Sequence, residues 1–228
     1  MRCRSLVLFA AGFFSVALVF FTLGCGSSNN ARIRLVNAIP DESSLDLLVD
    51  SKSVATGVGY GAASGYISVS SGSRHLQAEP TGSTTPIIDT TTNASSGSDL
   101  TLISLNFSNN PSNAVLTDDN SAPASGNFKL RIINASPGTG TQDVYVVAPG
   151  TAITTVSPTI SGLSFGVASS YSSLAAGNYE VFFTNPGQKV INLDTGSLSF
   201  SAGQIRTILA LNSQVGGGFT SSVLADLN

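Results

Sequence analysis

Apolar residues follow two different patterns along this chain. From Leu6 to Leu23 they run together as "LVLFAAGFFSVALVFFTL", 18 residues without a charge. Beyond residue 30 they come in short stretches with a period of two, separated by clusters of Gly, Ser, Asn and Pro. In "RHLQAE", Leu76 and Ala78 fall on one side and His75, Gln77 and Glu79 on the other. In "NYEVFFT", Tyr179, Val181 and Phe183 alternate with Glu180 and Thr184, and Phe182 interrupts the polar side. Alternation of this kind is the mark of strands with one face in a core. Gly72 and Gly177 precede these two strands at positions where a turn with positive φ is expected. No stretch after residue 30 keeps a period of 3.6 long enough for a helix. The spacing predicts about seven strands per half and an all-β, antiparallel sandwich.

The strand pattern is written twice. "RIRLVNAIP" (Arg32 to Pro40) returns as "KLRIINASP" (Lys129 to Pro137), displaced by 97 residues, and "LDLLVD" returns as "QDVYVV" at the same displacement. The displacement then grows to 105, where "YGAASGYISVSSG" (Tyr60 to Gly72) meets "FGVASSYSSLAAG" (Phe165 to Gly177); further on "LTLISL" (Leu100 to Leu105) meets "RTILAL" (Arg206 to Leu211). "VLTDDN" (Val115 to Asn120) closes the first copy and "VLADLN" (Val223 to Asn228) the second. The second copy therefore carries about eight extra residues, most simply between Gly150 and Gly162. Two tandem domains follow, 31–120 and 127–228, joined by a linker at 121–126. Each is large enough to bury a core without staples.

Ahead of the repeats, Arg2 and Arg4 and then the apolar run have the layout of an export signal over 1–24; at 18 residues the run also reaches the lower limit of a membrane span. Gly24-Cys25 at its exit, followed by a small polar tether over 25–30, resembles the lipobox of bacterial lipoproteins. That resemblance implies a diacylglycerol on the Cys25 sulfur and cleavage before it, which anchors the protein to a bilayer. Only two cysteines exist, Cys3 and Cys25. The first is lost with a signal and the second consumed by lipid, so no disulfide and no cysteine metal site are expected in the repeats. The chain has net charge −3; without Arg2 and Arg4 it holds 8 basic and 13 acidic residues. That balance excludes nucleic acid, whose phosphates need clustered Lys and Arg. Charged residues are 10% and hydrophobic residues 42%, a folded and not a disordered composition.

The repeats resemble the bacterial DUF4397 domain family. Its signatures appear as Asn134-Ala135-Ser136-Pro137 with Asp143-Val144-Tyr145-Val146, and as Asn37-Ala38-Ile39-Pro40-Asp41 with Asp46-Leu47-Leu48-Val49. Asn stands in both copies where the family has His before the Ala. The resemblance covers nearly all of 31–228. It implies immunoglobulin-like sandwiches and an envelope or surface location, and it implies no reaction.

Candidate chemistry is sparse. Gly162-Leu163-Ser164-Phe165-Gly166 fits a nucleophile elbow, but no helix is predicted after it, and the only His, His75, lies upstream in the other repeat. Gly57 to Ala62 fits a dinucleotide pattern, but strand and not helix follows. Gly216-Gly217-Gly218 reads as a hairpin loop, and His75 as a surface residue. Asp118, Asp119 and Asn120, or Asp41 and Glu42, have the oxygens for calcium, although neighbouring acids of this kind are commoner as solvated turns. Two pairs recur: Arg34 with Asp46, and Arg131 with Asp143, each twelve apart. Parity points both members away from the Leu47/Val49 face, so a cross-strand ion pair is expected in each copy. Asn37 and Asn134 are expected to cap the turn that follows them. Tyr145 and Val147 are expected to form an exposed apolar patch, used in packing between the domains or by a partner.

The sequence thus predicts a lipid-anchored protein of the bacterial cell envelope, without catalytic residues, cofactor or metal. Its role is binding or structural, through protein or adhesion contacts. The alternative is recognition of polysaccharide, against which the absence of Trp counts; the remote alternative is a hydrolase using Ser164.

Overall fold

The computed structural model describes residues 29–227, so the apolar run, Cys3 and Cys25, and with them the expected signal peptide and lipidation, lie outside the described residues. Each repeat folds into two four-stranded sheets facing one another, the expected immunoglobulin-like sandwich. In the first, β1 (Asn30–Asn37), β4 (Ile67–Ser70), β7 (Asp99–Leu105) and β8 (Ser112–Asp118) form one sheet in the order β4-β1-β7-β8. The other is β3-β2-β5-β6, from β2 (Ser44–Val49), β3 (Lys52–Gly59), β5 (Gly72–Pro80) and β6 (Ile88–Ala94). The second repeat copies both. One sheet contains β9 (Asn127–Asn134), β12 (Ser172–Ala175), β15 (Ile205–Asn212) and β16 (Phe219–Ala225), in the order β12-β9-β15-β16. Its companion contains β10 (Gln142–Val147), β11 (Ile160–Leu163), β13 (Gly177–Thr184) and β14 (Ile191–Phe200), in the order β11-β10-β13-β14. Each repeat therefore has eight strands where about seven were expected. Pairing is antiparallel except between β1 and β7 and between β9 and β15, which run parallel. Gly72 has the positive φ expected of it, 108°, whereas Gly177 does not and simply begins β13.

Alternation fills each sandwich. Ile33, Leu35, Leu45, Leu47, Leu76, Ala78 and Leu102 make the first core. Phe128, Leu130, Ile132, Val144, Val181, Phe183 and Ile208 make the second, where Phe128 stacks on Phe200 with ring centroids 4.5 Å apart. Strands β1, β7, β9 and β15 depart from alternation: nearly every residue on them is buried. Their second face meets the other repeat. Val36, Ala38, Ile103 and Leu105 form one cluster with Ile133, Ala135, Leu209, Leu211 and Leu224. The molecule is thus four sheets deep, and with about 10 Å between packed sheets the outermost layers lie about 30 Å apart.

Two expectations are corrected here. Tyr145 is 1% exposed, not part of an open patch, and it packs with Ile153 and Phe182. The cover comes from the extra residues of the second copy, which run from β10 to β11 and contain a turn of 3₁₀ helix at Ile153–Thr155. The first copy crosses the same gap with Asp50 and Ser51, both at positive φ. Phe182, the residue that breaks the polar side of β13, is apolar because the same loop lies over it. The patch is also not where the domains meet, since it lies on an outer sheet.

Because Ile153 is the buried residue of that loop, Ile153→Ala should destabilise the protein by about 2–4 kcal/mol in urea unfolding, whereas Val190→Ala, at a 73% exposed position, should leave the midpoint unchanged.

Candidate functional site at the junction of the repeats

The two faces that close on each other are not wholly apolar. Arg34 on β1 and Arg131 on β9 point into the junction between the repeats, with side chains 1% and 3% exposed. Neither pairs with the aspartate twelve residues on. Arg34 Nη2 donates to Asp226 Oδ1 of the second repeat at 2.7 Å, and Arg131 Nη1 lies 2.7 Å from Asp118 Oδ1 of the first. The expected Arg34–Asp46 and Arg131–Asp143 pairs are therefore wrong. Both members do point away from the core, but they belong to opposite sheets of a sandwich, and a core about 10 Å thick separates them. Asp46 instead accepts from the Gly57 amide at 2.8 Å and the Thr81 hydroxyl at 2.6 Å. Asp143 accepts from the amides of Gly162 (2.9 Å) and Gly187 (2.8 Å).

Each buried pair is surrounded by the same residue types in both copies. Arg34 Nε donates to the Thr101 hydroxyl at 2.8 Å, and Arg131 Nε to that of Thr207 at 3.2 Å. Each guanidinium stacks on a tyrosine of its own repeat, 4.7 Å above the ring: Arg34 on Tyr66, and Arg131 on Tyr171. Each phenol then donates at 2.6 Å to the aspartate of its own repeat, Tyr66 to Asp118 and Tyr171 to Asp226. Threonine and tyrosine thus donate to each carboxylate, and the arginine from across the junction supplies the opposite charge that its burial requires. The copies differ in two respects: Arg34 meets its aspartate in a hydrogen bond, whereas Asp118 Oδ1, although 2.7 Å from Arg131 Nη1, has no hydrogen-bond partner among the described residues. Arg34 Nη1 also reaches the Ala225 carbonyl at 3.1 Å, whereas Arg131 Nη2 has no hydrogen-bond partner among the described residues.

The "YGAASGY" and "FGVASSY" stretches, the longest match between the copies, supply the rest of the junction. Tyr60, Ala63, Phe165 and Ala168 pack on the shared cluster, and the Tyr60 hydroxyl donates to the Asn212 carbonyl at 2.7 Å. Gly61 has φ +71°, and a Cβ there would lie 3.1 Å from Leu211 Cδ1. Gly166, at φ +76°, faces Leu105 in the same way, at 3.5 Å. These two glycines allow both the turn and the close approach of the repeats.

Burial opposes the charge on Arg34, but Asp226, Tyr66 and Asp118 outweigh it and hold the guanidinium above its ordinary pKa. Burial pushes the phenols of Tyr66 and Tyr171 far above the ordinary tyrosine range. It takes Tyr60 up to about 12.

The other candidate residues play local parts. Asn37 and Asn134 hold their turns: Asn37 Oδ1 accepts from the Ile39 amide at 3.1 Å, and its Nδ2 donates to the Glu42 and Val58 carbonyls. Asn134 Nδ2 donates to the carbonyls of Gly140 and Leu163. Of the calcium candidates, Asp118 is consumed by Arg131, and Asp119 binds Lys129 at 2.6 Å, which lowers its carboxyl to about 2. Asp41 accepts from Ser108, which lowers its pKa against the opposing effect of burial. Among the described residues no three His, Cys, Asp or Glu converge as a metal site. Ser164 has the Thr141 hydroxyl 3.4 Å away as neighbour. His75 Nε2 lies 2.7 Å from Asp89 on the outer face of the first repeat. A cleft of about 300 Å³ opens between the β3 and β4 edges, with Lys52, Arg74 and Asp50 on its rim.

A family profile described as "Domain of unknown function (DUF4397)" matches residues 31–145 and, separately, 131–228. The chain belongs to that family. The first DUF4397 match contains Arg34, and the second begins at Arg131. Curated proteins yield no match. Among solved structures, the Bacillus anthracis TIE protein aligns at 12% identity over 80% of this chain and 34% of its own, so this chain spans about a third of it, with a TM-score of 0.26. A streptococcal virulence factor described for alpha-glucan binding aligns at 10% identity over 86% of this chain and 97% of its own, TM-score 0.28. A family CBM26 module of Eubacterium rectale Amy13K, in complex with maltoheptaose, aligns at 11% identity over 85% and 95%, TM-score 0.24.

Two outcomes follow from the junction of this DUF4397 protein. An Arg34→Ala/Asp226→Ala double-mutant cycle should show strong coupling, and each single change should cost about 3–5 kcal/mol because it strands a buried charge; an Arg34→Ala/Asp46→Ala cycle should show none. The raised phenol pKa values set an alkaline limit. A group whose pKa is higher folded than unfolded lends stability that is complete below the unfolded value, about 10 for tyrosine, and that is lost as pH rises through the folded one. Tyrosinate absorbance of the folded protein should therefore show delayed ionisation of Tyr60, Tyr66 and Tyr171, with cooperative unfolding once they titrate. Complete ionisation of all five tyrosines near pH 10 without unfolding would contradict this burial.

Proposed function

We propose that this protein is a non-catalytic binding or structural module of the bacterial envelope, held by lipid on Cys25 and working through protein or adhesion contacts. The observation that carries the reading is the use made of the buried charges. Arg34, Arg131, Asp118 and Asp226 form the kind of buried ionisable cluster that active sites exploit. Here every one of them is spent joining one repeat to the other. The repeats are thereby docked on one another and not two beads on a string.

The placement of the tether suits this role. The chain enters through β1, a strand of a central layer, so a body hung from residues 25–30 keeps both outer sheets free. One of those faces, on β5 and β6, is polar, with Gln77 and His75 sharing Asp89 at 3.0 and 2.7 Å. Flat sheet faces and free strand edges bind by area and not by a deep pocket.

The test combines anchor and partner. Cells expressing the full chain and fed labelled palmitate should incorporate label, and Cys25→Ala should abolish it and move the protein from membrane to soluble fractions. Cross-linking on intact cells should then give protein adducts that are lost with Cys25→Ala. A bare thiol at position 25 in the native protein ends the anchored reading. Binding of the purified chain on a glycan array, without protein adducts, replaces adhesion by polysaccharide recognition.

A further inference from the structure

The junction between the repeats is reciprocal at its centre. Arg34 of the first repeat reaches Asp226 of the second, and Arg131 of the second reaches Asp118 of the first. Gly61 faces Leu211, and Gly166 faces Leu105. A contact in which i meets j and the equivalent of j meets the equivalent of i defines a two-fold, isologous interface, and such a surface is complementary to itself. We propose that this face is a recognition surface for any further copy of the repeat, so that a repeat from a second chain can take the place of the one in cis.

The side chains at each role make the exchange chemically neutral. If two first repeats met, Arg34 would face Asp118 in place of Asp226, an identical carboxylate already oriented by a tyrosine and a threonine. Leu211 and Leu224 would be replaced by Leu105 and Leu116, Leu209 by Ile103, and Ser222 by Ala114. None of these changes adds bulk opposite Gly61. The hydroxyl of Tyr60, which donates to the Asn212 carbonyl, would meet that of Asn106. What favours the mixed pair lies at the rim. Gln214, in the Gly-rich loop of the second repeat alone, donates to the Pro40 carbonyl at 2.9 Å. Pairing within one chain is further favoured by the short linker between β8 and β9, through effective concentration. Removing that preference should expose the self-pairing. The inference rests on the junction and is independent of the lipid anchor.

Charge exchange within the first repeat separates the two pairings in the full chain. In the double variant Arg34→Asp/Asp118→Arg, pairing in cis sets Asp against Asp226 and Arg against Arg131. Pairing of two first repeats from separate chains sets Asp against Arg twice. The variant should therefore double its mass in light scattering while keeping the native far-ultraviolet spectrum, and Arg34→Asp alone should not. A folded monomer overturns the proposal. If the double variant aggregates, a wild-type chain with a protease site within 121–126 decides. Cut, unfolded in urea and refolded, it should give first–first and second–second pairs in native mass spectrometry beside a more abundant mixed pair. Mixed pairs alone, or separate folded halves, overturn the proposal equally.

Discussion

The architecture depends on two buried ion pairs that cross between the repeats. A guanidinium and a carboxylate taken out of water each cost several kcal/mol. They are tolerable at Arg34, Asp226, Arg131 and Asp118 only because both partners are present and both repeats are docked. Either repeat alone would leave an arginine, an aspartate and an apolar face without the groups that complete them. Two sandwiches, each with a closed core of its own, are in this way bound into a single four-layer body.

The same constraint explains the composition of the central strands. β7 reads DLTLISL, all buried, and β15 is nearly so. A strand with water on one face alternates, whereas one covered on both faces carries an almost continuous apolar run. Thr101 and Thr207 interrupt those runs where an arginine and an aspartate need a hydroxyl. On the outer sheets the large apolar residues Tyr145 and Phe182 break the alternation where the second repeat lays its own loop over them. Divergence between the copies thus accumulates on the outside, at a loop and at hairpin tips, while the junction residues stay alike.

For function, the consequence is mechanical. Ionisable groups of the kind that serve reactions are held in a buried contact, Arg34 paired with Asp226 and Arg131 with Asp118. What such a contact provides is position: with the repeats docked through their central sheets, the other two sheets form the outer faces.

Strand periodicity, the duplication, the extra residues of the second copy and the turn-capping role of Asn37 and Asn134 were all legible in the sequence, because each depends on neighbours within a few residues or on a comparison of one copy with the other. The recurrence of Arg34 and Arg131 was equally visible; their partners were not. Asp46 and Asp143 lie close in sequence and share the outward parity, whereas Asp118 and Asp226 stand in "VLTDDN" and "VLADLN", where a run of acid and amide residues looks like a solvated turn. Two clues were present: the apolar runs of β7 and β15 lacked a polar side, and an acid closed each copy as a base opened it. Parity tells which face a side chain occupies but not what covers that face. Only the stacking of one repeat on the other chose, because an ion pair across the junction depends on the relation between two folded bodies and not on spacing along either of them.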